Sequence, residues 1–122
     1  MALANGSLVR VRNTTPVYLV ILGQYCHVPS QQTAQNLFGA NWGNLVNTIT
    51  QGTLNSTLQG VSFTSGACLV QGQGSPAQYL YTWGLKFLIA GPPILTTYNF
   101  TTPFLMSPQV VEAMPQGFVI AE

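Results

Sequence analysis

No aspartate occurs anywhere in this chain, and charge of either sign is nearly missing. Arg10, Arg12, Lys86, Glu112 and Glu122 are the whole inventory, 4% of the residues against about 25% in an ordinary soluble domain. Three scattered cations do not form the basic stripe that phosphate binding needs, which excludes nucleic acid. Paired-carboxylate hydrolysis needs two acids in one cleft, and Glu112 and the terminal Glu122 are the only acids. A Ser/His/Asp triad lacks its acid. There is one histidine, His27, and there are two cysteines, Cys26 and Cys68. A zinc site wants three or four ligands from Cys, His and carboxylate, so no metal is expected. A cofactor is not expected either.

Cys26 adjoins His27, but successive side chains of a strand point to opposite faces, so no Cys/His dyad forms. The reading is a protein with no catalytic residues, not an enzyme. Two cysteines are also too few for a disulfide scaffold. Cys26 and Cys68 either pair, closing a loop of about 42 residues worth roughly 3–4 kcal/mol, or remain two buried thiols. Long apolar runs are missing as well. The longest covers residues 17–22, far short of the roughly 20 that cross a bilayer, so no membrane span is expected. The opening MALANGSLVR has no basic stretch followed by an apolar one, so no signal peptide is visible.

What is present is core material and neutral polarity. Apolar residues make up 47%, and the polar remainder is mainly Gln, Asn, Ser and Thr. A chain of 122 residues is read as one domain. A near-neutral surface lacks the repulsion that keeps copies apart, which points to contact with neutral glycan, with a protein surface or with itself as a homo-oligomer.

The chain also repeats. Shifted by 61 positions, Leu8-Val9 lies on Leu69-Val70, Tyr18-Leu19 on Tyr79-Leu80 and Gly23 on Gly84. After a drift of a few residues, LNSTLQG (54–60) faces VEAMPQG (111–117). Two repeats, about 6–60 and 66–117, are therefore expected. In the first, residues 8–12 alternate as a strand, with Arg10 and Arg12 on one side, placed to block an edge. Residues 17–22 form a buried strand, Gly23-Gln24 turns, and residues 25–28 return as a hairpin.

Ser30 caps a helix with Thr33, Ala34, Leu37 and Phe38 on one face, and Gly39 ends it. Leu54 and Leu58 mark a second helix over residues 50–58. In the second repeat the hairpin turns at Trp83-Gly84. Gly91-Pro92-Pro93 shortens or abolishes the next helix. Ser107 caps the last one, with Pro108 in its first turn. Residues 117–120 read as a final strand. Glycines 72 and 74 mark a turn between strands, not a phosphate loop, because no lysine follows them. The fold class is α+β: two pseudo-symmetric hairpin-plus-short-helix units, mostly antiparallel.

Residues 7–60, from SLVRVRNTTPVYLVILGQYCHVPS to the closing LQG, resemble a repeat of bacterial extracellular and envelope-associated accessory proteins, "sLVR…PVYLV…G…hIPs…F…G…W". The matching positions are Val17-Tyr18-Leu19-Val20, Gly23, His27, Pro29, Phe38 (or Leu37), Gly39 and Trp42. The usual form has basic residues before His-Ile-Pro, where this chain has Gln24, Tyr25 and Cys26. Residues 67–117 are a degenerate version in which Leu88 replaces His27. The resemblance implies an extracellular or cell-surface accessory module, and brings no known ligand or catalytic residue.

The remaining chemistry is aromatic and amide. Aromatic faces pack on the C–H faces of sugars, and Asn and Gln serve their hydroxyls. The same residues suit a protein interface poor in charge. Trp83, Trp42, Tyr25, Tyr81 and His27 are the candidate contacts. Positions where the repeats differ (His27 against Leu88, Leu22 against Trp83) are where a single site is expected. Sequons at Asn5, Asn13, Asn55 and Asn99 matter only on a eukaryotic secretory route.

Overall fold

The computed structural model describes residues 3–121, so Glu122 lies outside the described residues. In chain order the elements are Leu8–Val11 (β1), Val17–Ile21 (β2), Gln24–Val28 (β3) and Gln31–Phe38 (α1). A 3-10 turn, Trp42–Leu45, leads to Val46–Ile49 (β4), Gln51–Asn55 (α2) and Leu58–Gln59 (β5). Cys68–Gly72 (β6), Gln78–Thr82 (β7), Leu85–Leu88 (β8), Pro92–Tyr98 (α3), Phe104–Met106 (β9) and Pro108–Ala113 (α4) follow.

The class is α+β, with two sheets ordered β4-β1-β2-β3-β5 and β8-β7-β6-β9. The centre of each is an antiparallel meander. Three of the four outer strands pair in parallel, β4 to β1, β5 to β3 and β9 to β6, and the fourth, β8, is antiparallel to β7. Both sheets are therefore mixed, with antiparallel strand pairs in the majority as expected, four against three. The long returns through α1 and α3 supply the crossovers that parallel pairing requires.

The halves share register. Leu8 pairs with Leu19 as Leu69 does with Leu80, a spacing of 61. Tyr25 faces Gln59 as Lys86 faces Gln116, a spacing of 61 on one strand and 57 on the other. The spacing shrinks by the length of the 3-10 turn Trp42–Leu45, for which no such turn stands between α3 and β9.

Both hairpins turn on two consecutive residues of positive φ: Leu22 at 54° with Gly23 at 79°, and Trp83 at 55° with Gly84 at 74°. That backbone matches the twist of the strands and favours Asn-Gly or Gly-Gly. A leucine or tryptophan there bears a strain of about 1 kcal/mol.

One face of each sheet meets α1 and α3 in the main core. Leu19, Cys26 and Val28 come from the first sheet, and Leu69, Leu80 and Phe87 from the second. Leu37 and Phe38 of α1 and Ile94 and Tyr98 of α3 fill between them. The opposite faces are covered by the two short helices. Leu54 of α2 packs on Val9 and Val11, and Val111 of α4 lies over Gly72.

Local signals explain the helices. Ser30 Oγ accepts from the Thr33 amide at 3.2 Å, and Gly39 leaves α1 at φ 86°. The two prolines that were to shorten or abolish α3 instead stand in its first turn, where no amide hydrogen is needed, and the helix forms. Ser107 caps α4 from Val110 N at 3.4 Å.

Other expectations are corrected. The helix over 50–58 stops at Asn55, and Leu58 lies 72% exposed in β5. Residues 117–120 form no strand; Gln116 and Ile120 make single bridges to Lys86 and Ile89. Arg10 and Arg12 are exposed but guard no edge, because β4 covers β1 on that side. Of the two states left open for the cysteines, the unpaired one is found: Cys26 and Cys68 are free. Cys26 faces the main core, whereas Cys68 precedes core-facing Leu69 in a different sheet and so points the other way.

Candidate functional site

The hairpin tips and the segments that follow β5 and α4 enclose an apolar groove of about 410 Å³. Ile21, Leu22 and Cys26 line it from the first half, with Val61 beyond β5. Trp83 and Phe87 line it from the second half, with Phe118 and Ile120 from the tail. Leu22, Val61 and Phe118 are 40%, 69% and 55% exposed, so the rim is apolar and open to water. Among the described residues, Gln24 brings the only amide side chain to the lining.

Of the five expected contacts, only Trp83 lies in this groove, and its ring is already engaged. It stacks on Phe63 with centroids 5.5 Å apart and planes 18° apart, and its Nε1–H donates to the Ser62 carbonyl at 2.7 Å. Trp42 and His27 meet in a second hollow, about 320 Å³, with Pro29 and Ser30. His27 also lies beside Tyr18, centroids 5.6 Å apart. Tyr25 is edge-on to the same Tyr18 at 5.2 Å. Tyr81 is half-buried on β7 opposite Cys68 and Lys86, and lines neither hollow. The five are therefore not one constellation.

Sequence reading missed Leu22, Val61 and Phe118 as site residues, because an isolated apolar residue reads as core. Their pairing across the halves was the available signal: Val61 and Phe118 stand at the same spacing of 57 as Gln59 and Gln116. It also missed a dish of about 480 Å³ between α1 and α3, where Asn41, Asn44 and Asn99 surround Phe100.

Burial pushes the Cys26 thiol up to about 11 and raises that of Cys68, so both are protonated at neutral pH and poor nucleophiles. Cys26 and His27 project to opposite faces of β3, one into the core and one beside Tyr18. Lys86 is buried; its Nζ donates to the Val111 carbonyl at 2.7 Å and lies 4.7 Å from the Tyr79 ring centroid. It occupies the place of Tyr25, so a cation over a ring replaces the Tyr18–Tyr25 pair of the first half. Among the described residues no three of His, Cys, Asp and Glu gather as metal ligands. No helix there is long and apolar enough to cross a membrane.

No family model matches this chain, and no curated protein matches it. One solved structure, the periplasmic assembly from the ESX-5 inner membrane complex, holds a chain that is similar at 12% identity and a TM-score of 0.36. The match covers 96% of this chain and 35% of that one, and is too slight to define a shared fold.

Proposed function

We propose that this protein is a non-catalytic recognition module that docks an apolar surface of a partner protein in the groove between its hairpins. The observation that carries this reading is the rim of Leu22, Val61 and Phe118, left exposed around a hollow that holds no charged group among the described residues. Burying such side chains fully is worth about 1.5–3 kcal/mol each, before the cost of ordering the partner. Neutral carbohydrate, the other ligand that the composition admits, fits the groove less well. Its hydroxyls would find one amide, Gln24, and Trp83 has committed its N–H to Ser62. An extracellular or cell-surface location goes with the motif resemblance and is part of the proposal.

The test is titration of the apolar dye bis-ANS, read by fluorescence. Saturable binding at one site per chain, lost in Val61→Glu, is the expected result. Binding unaffected by that charge would overturn the reading.

A second reading, self-assembly into a structural subunit, is favoured by β9. It closes one edge of the second sheet with Phe104 and Leu105 exposed at 53% and 63%, and Val110 at 50% stands on the following helix. Uncharged edges invite pairing with another chain. Light scattering that shows a mass rising with concentration, reversed by Leu105→Lys, would support it. A monomer at all concentrations would remove it.

A further inference from the structure

Around the groove the halves differ in one consistent way. By the spacings of 61 and 57, Trp83 corresponds to Leu22, Phe87 to Cys26, Phe118 to Val61 and Phe63 to Ile120. On one side four rings pack in series. Phe63 stacks on Trp83, Trp83 is edge-on to Phe87 at 5.6 Å, and Phe87 meets Phe118 at 4.8 Å. On the other side the corresponding places hold Leu22, Cys26, Val61 and Ile120, and all four line the hollow. The backbone frame is nearly unchanged. Leu22 and Trp83 share φ within a degree, at 54° and 55°. Gly60 and Gly117 make the same close approach, where a Cβ would stand 2.7 Å from Cys26 Sγ in one half and overlap the Phe87 ring in the other. The hollow thus lies between the two sets, with the rings of Trp83, Phe87 and Phe118 on one wall and the smaller Leu22, Cys26, Val61 and Ile120 at the corresponding places of the other.

We propose that the groove is a socket for one aromatic side chain presented by a partner polypeptide, which completes the ring packing on the wall that holds Leu22, Cys26, Val61 and Ile120. The proposal rests on the groove being the docking surface. It names tryptophan or phenylalanine as the anchor for three reasons. The smaller wall lacks the volume of rings, and about 410 Å³ admits even a tryptophan side chain. Trp83 and Phe87 offer ring surface, against which aromatics pack with more than their area alone supplies. Among the described residues the lining carries no charge that a polar ligand would answer.

The test uses the full chain and blocked tripeptides, acetyl-Gly-Trp-Gly-amide and acetyl-Gly-Leu-Gly-amide, titrated while the Trp83 indole N–H and the amides of Leu22 and Val61 are followed by NMR. The tryptophan peptide should bind about three- to tenfold tighter than the leucine peptide. Leu22→Trp, whose backbone conformation Trp83 already adopts, and separately Val61→Phe put a ring back from within. Each should weaken the tryptophan peptide at least about tenfold. Equal affinity for the two peptides would overturn the aromatic socket while leaving the docking surface standing. No shifts at the groove with either peptide would overturn both. Unchanged affinity in both variants would also overturn the socket. Free indole binding as tightly as the peptide would overturn the polypeptide source.

Discussion

Trp83 lies flat on Phe63, 5.5 Å away, and ties the second hairpin tip to the segment that ends the first half of the chain. The contact makes Trp83 a wall of the groove and a strut between halves, and leaves it poorly suited as a free platform for a sugar. Trp83→Ala should therefore lower stability by about 2–4 kcal/mol, through the lost stack and the orphaned Ser62 carbonyl. Trp83→Phe keeps the stack and should cost only about 1 kcal/mol. Urea unfolding of the two variants checks the difference.

The two hairpin tips share one strained backbone but differ in what the side chain holds. Leu22→Asn should be neutral or stabilise by up to about 1 kcal/mol, because asparagine accepts positive φ and Leu22 is largely open to water. Trp83→Asn should destabilise by about 2 kcal/mol or more, because the same relief is outweighed by lost packing. Thermal unfolding should be unchanged or raised by Leu22→Asn and lowered by Trp83→Asn; equal shifts would contradict the assignment of Trp83 as a strut.

Lys86 joins α4 to the second sheet through the Val111 carbonyl and the Tyr79 ring. Lys86→Ala should cost about 2–3 kcal/mol, the loss of a hydrogen bond from a charged group and of a cation–π contact. Lys86→Tyr, which recreates the Tyr18–Tyr25 pair of the first half, should cost less than Lys86→Ala. Denaturation and hydrogen exchange of residues 108–113 would report both.

Cys26 supplies a pH prediction. Its thiol is raised from 9.0 to about 11 by burial, so the folded state holds the proton more tightly than the unfolded chain. That contribution is fully present below pH 9 and is lost as pH rises towards 11, by about 1–2 kcal/mol. Stability of the native chain measured against Cys26→Ala should therefore converge between those pH values. Iodoacetamide at pH 8 should leave Cys26 unmodified until the chain is unfolded; rapid labelling in the native state would contradict its burial.

The hairpins were legible in the sequence because β2 and β3 are rich in β-branched and aromatic residues and break at Gly23, and β7 and β8 follow suit at Gly84. Helix α1 was legible through Ser30 and Gly39, whose capping roles act locally. The outer strands were not. Asn47 and Thr48 in β4 are exposed and alternate with nothing, and their pairing to β1 is parallel and long-range. Leu58 stands four residues from Leu54, which imitates a helix, yet its backbone pairs beside Gln24. The site was the least legible part. The lack of charge pointed to neutral contacts, and Leu22 against Trp83 marked a position where the halves diverge. The groove itself needs Leu22, Val61 and Phe118 brought together by tertiary packing, and no local pattern joins residues so far apart.

The central claim is that recognition occurs in the groove between the hairpins. Chemical-shift mapping of the native chain with bound bis-ANS tests it most directly. The predicted result is shifts confined to Leu22, Val61, the Trp83 indole N–H, Phe118 and Ile120, at one dye per chain. Shifts centred on β9, on the hollow of His27 and Trp42, or on the asparagine dish beside Phe100 would contradict it.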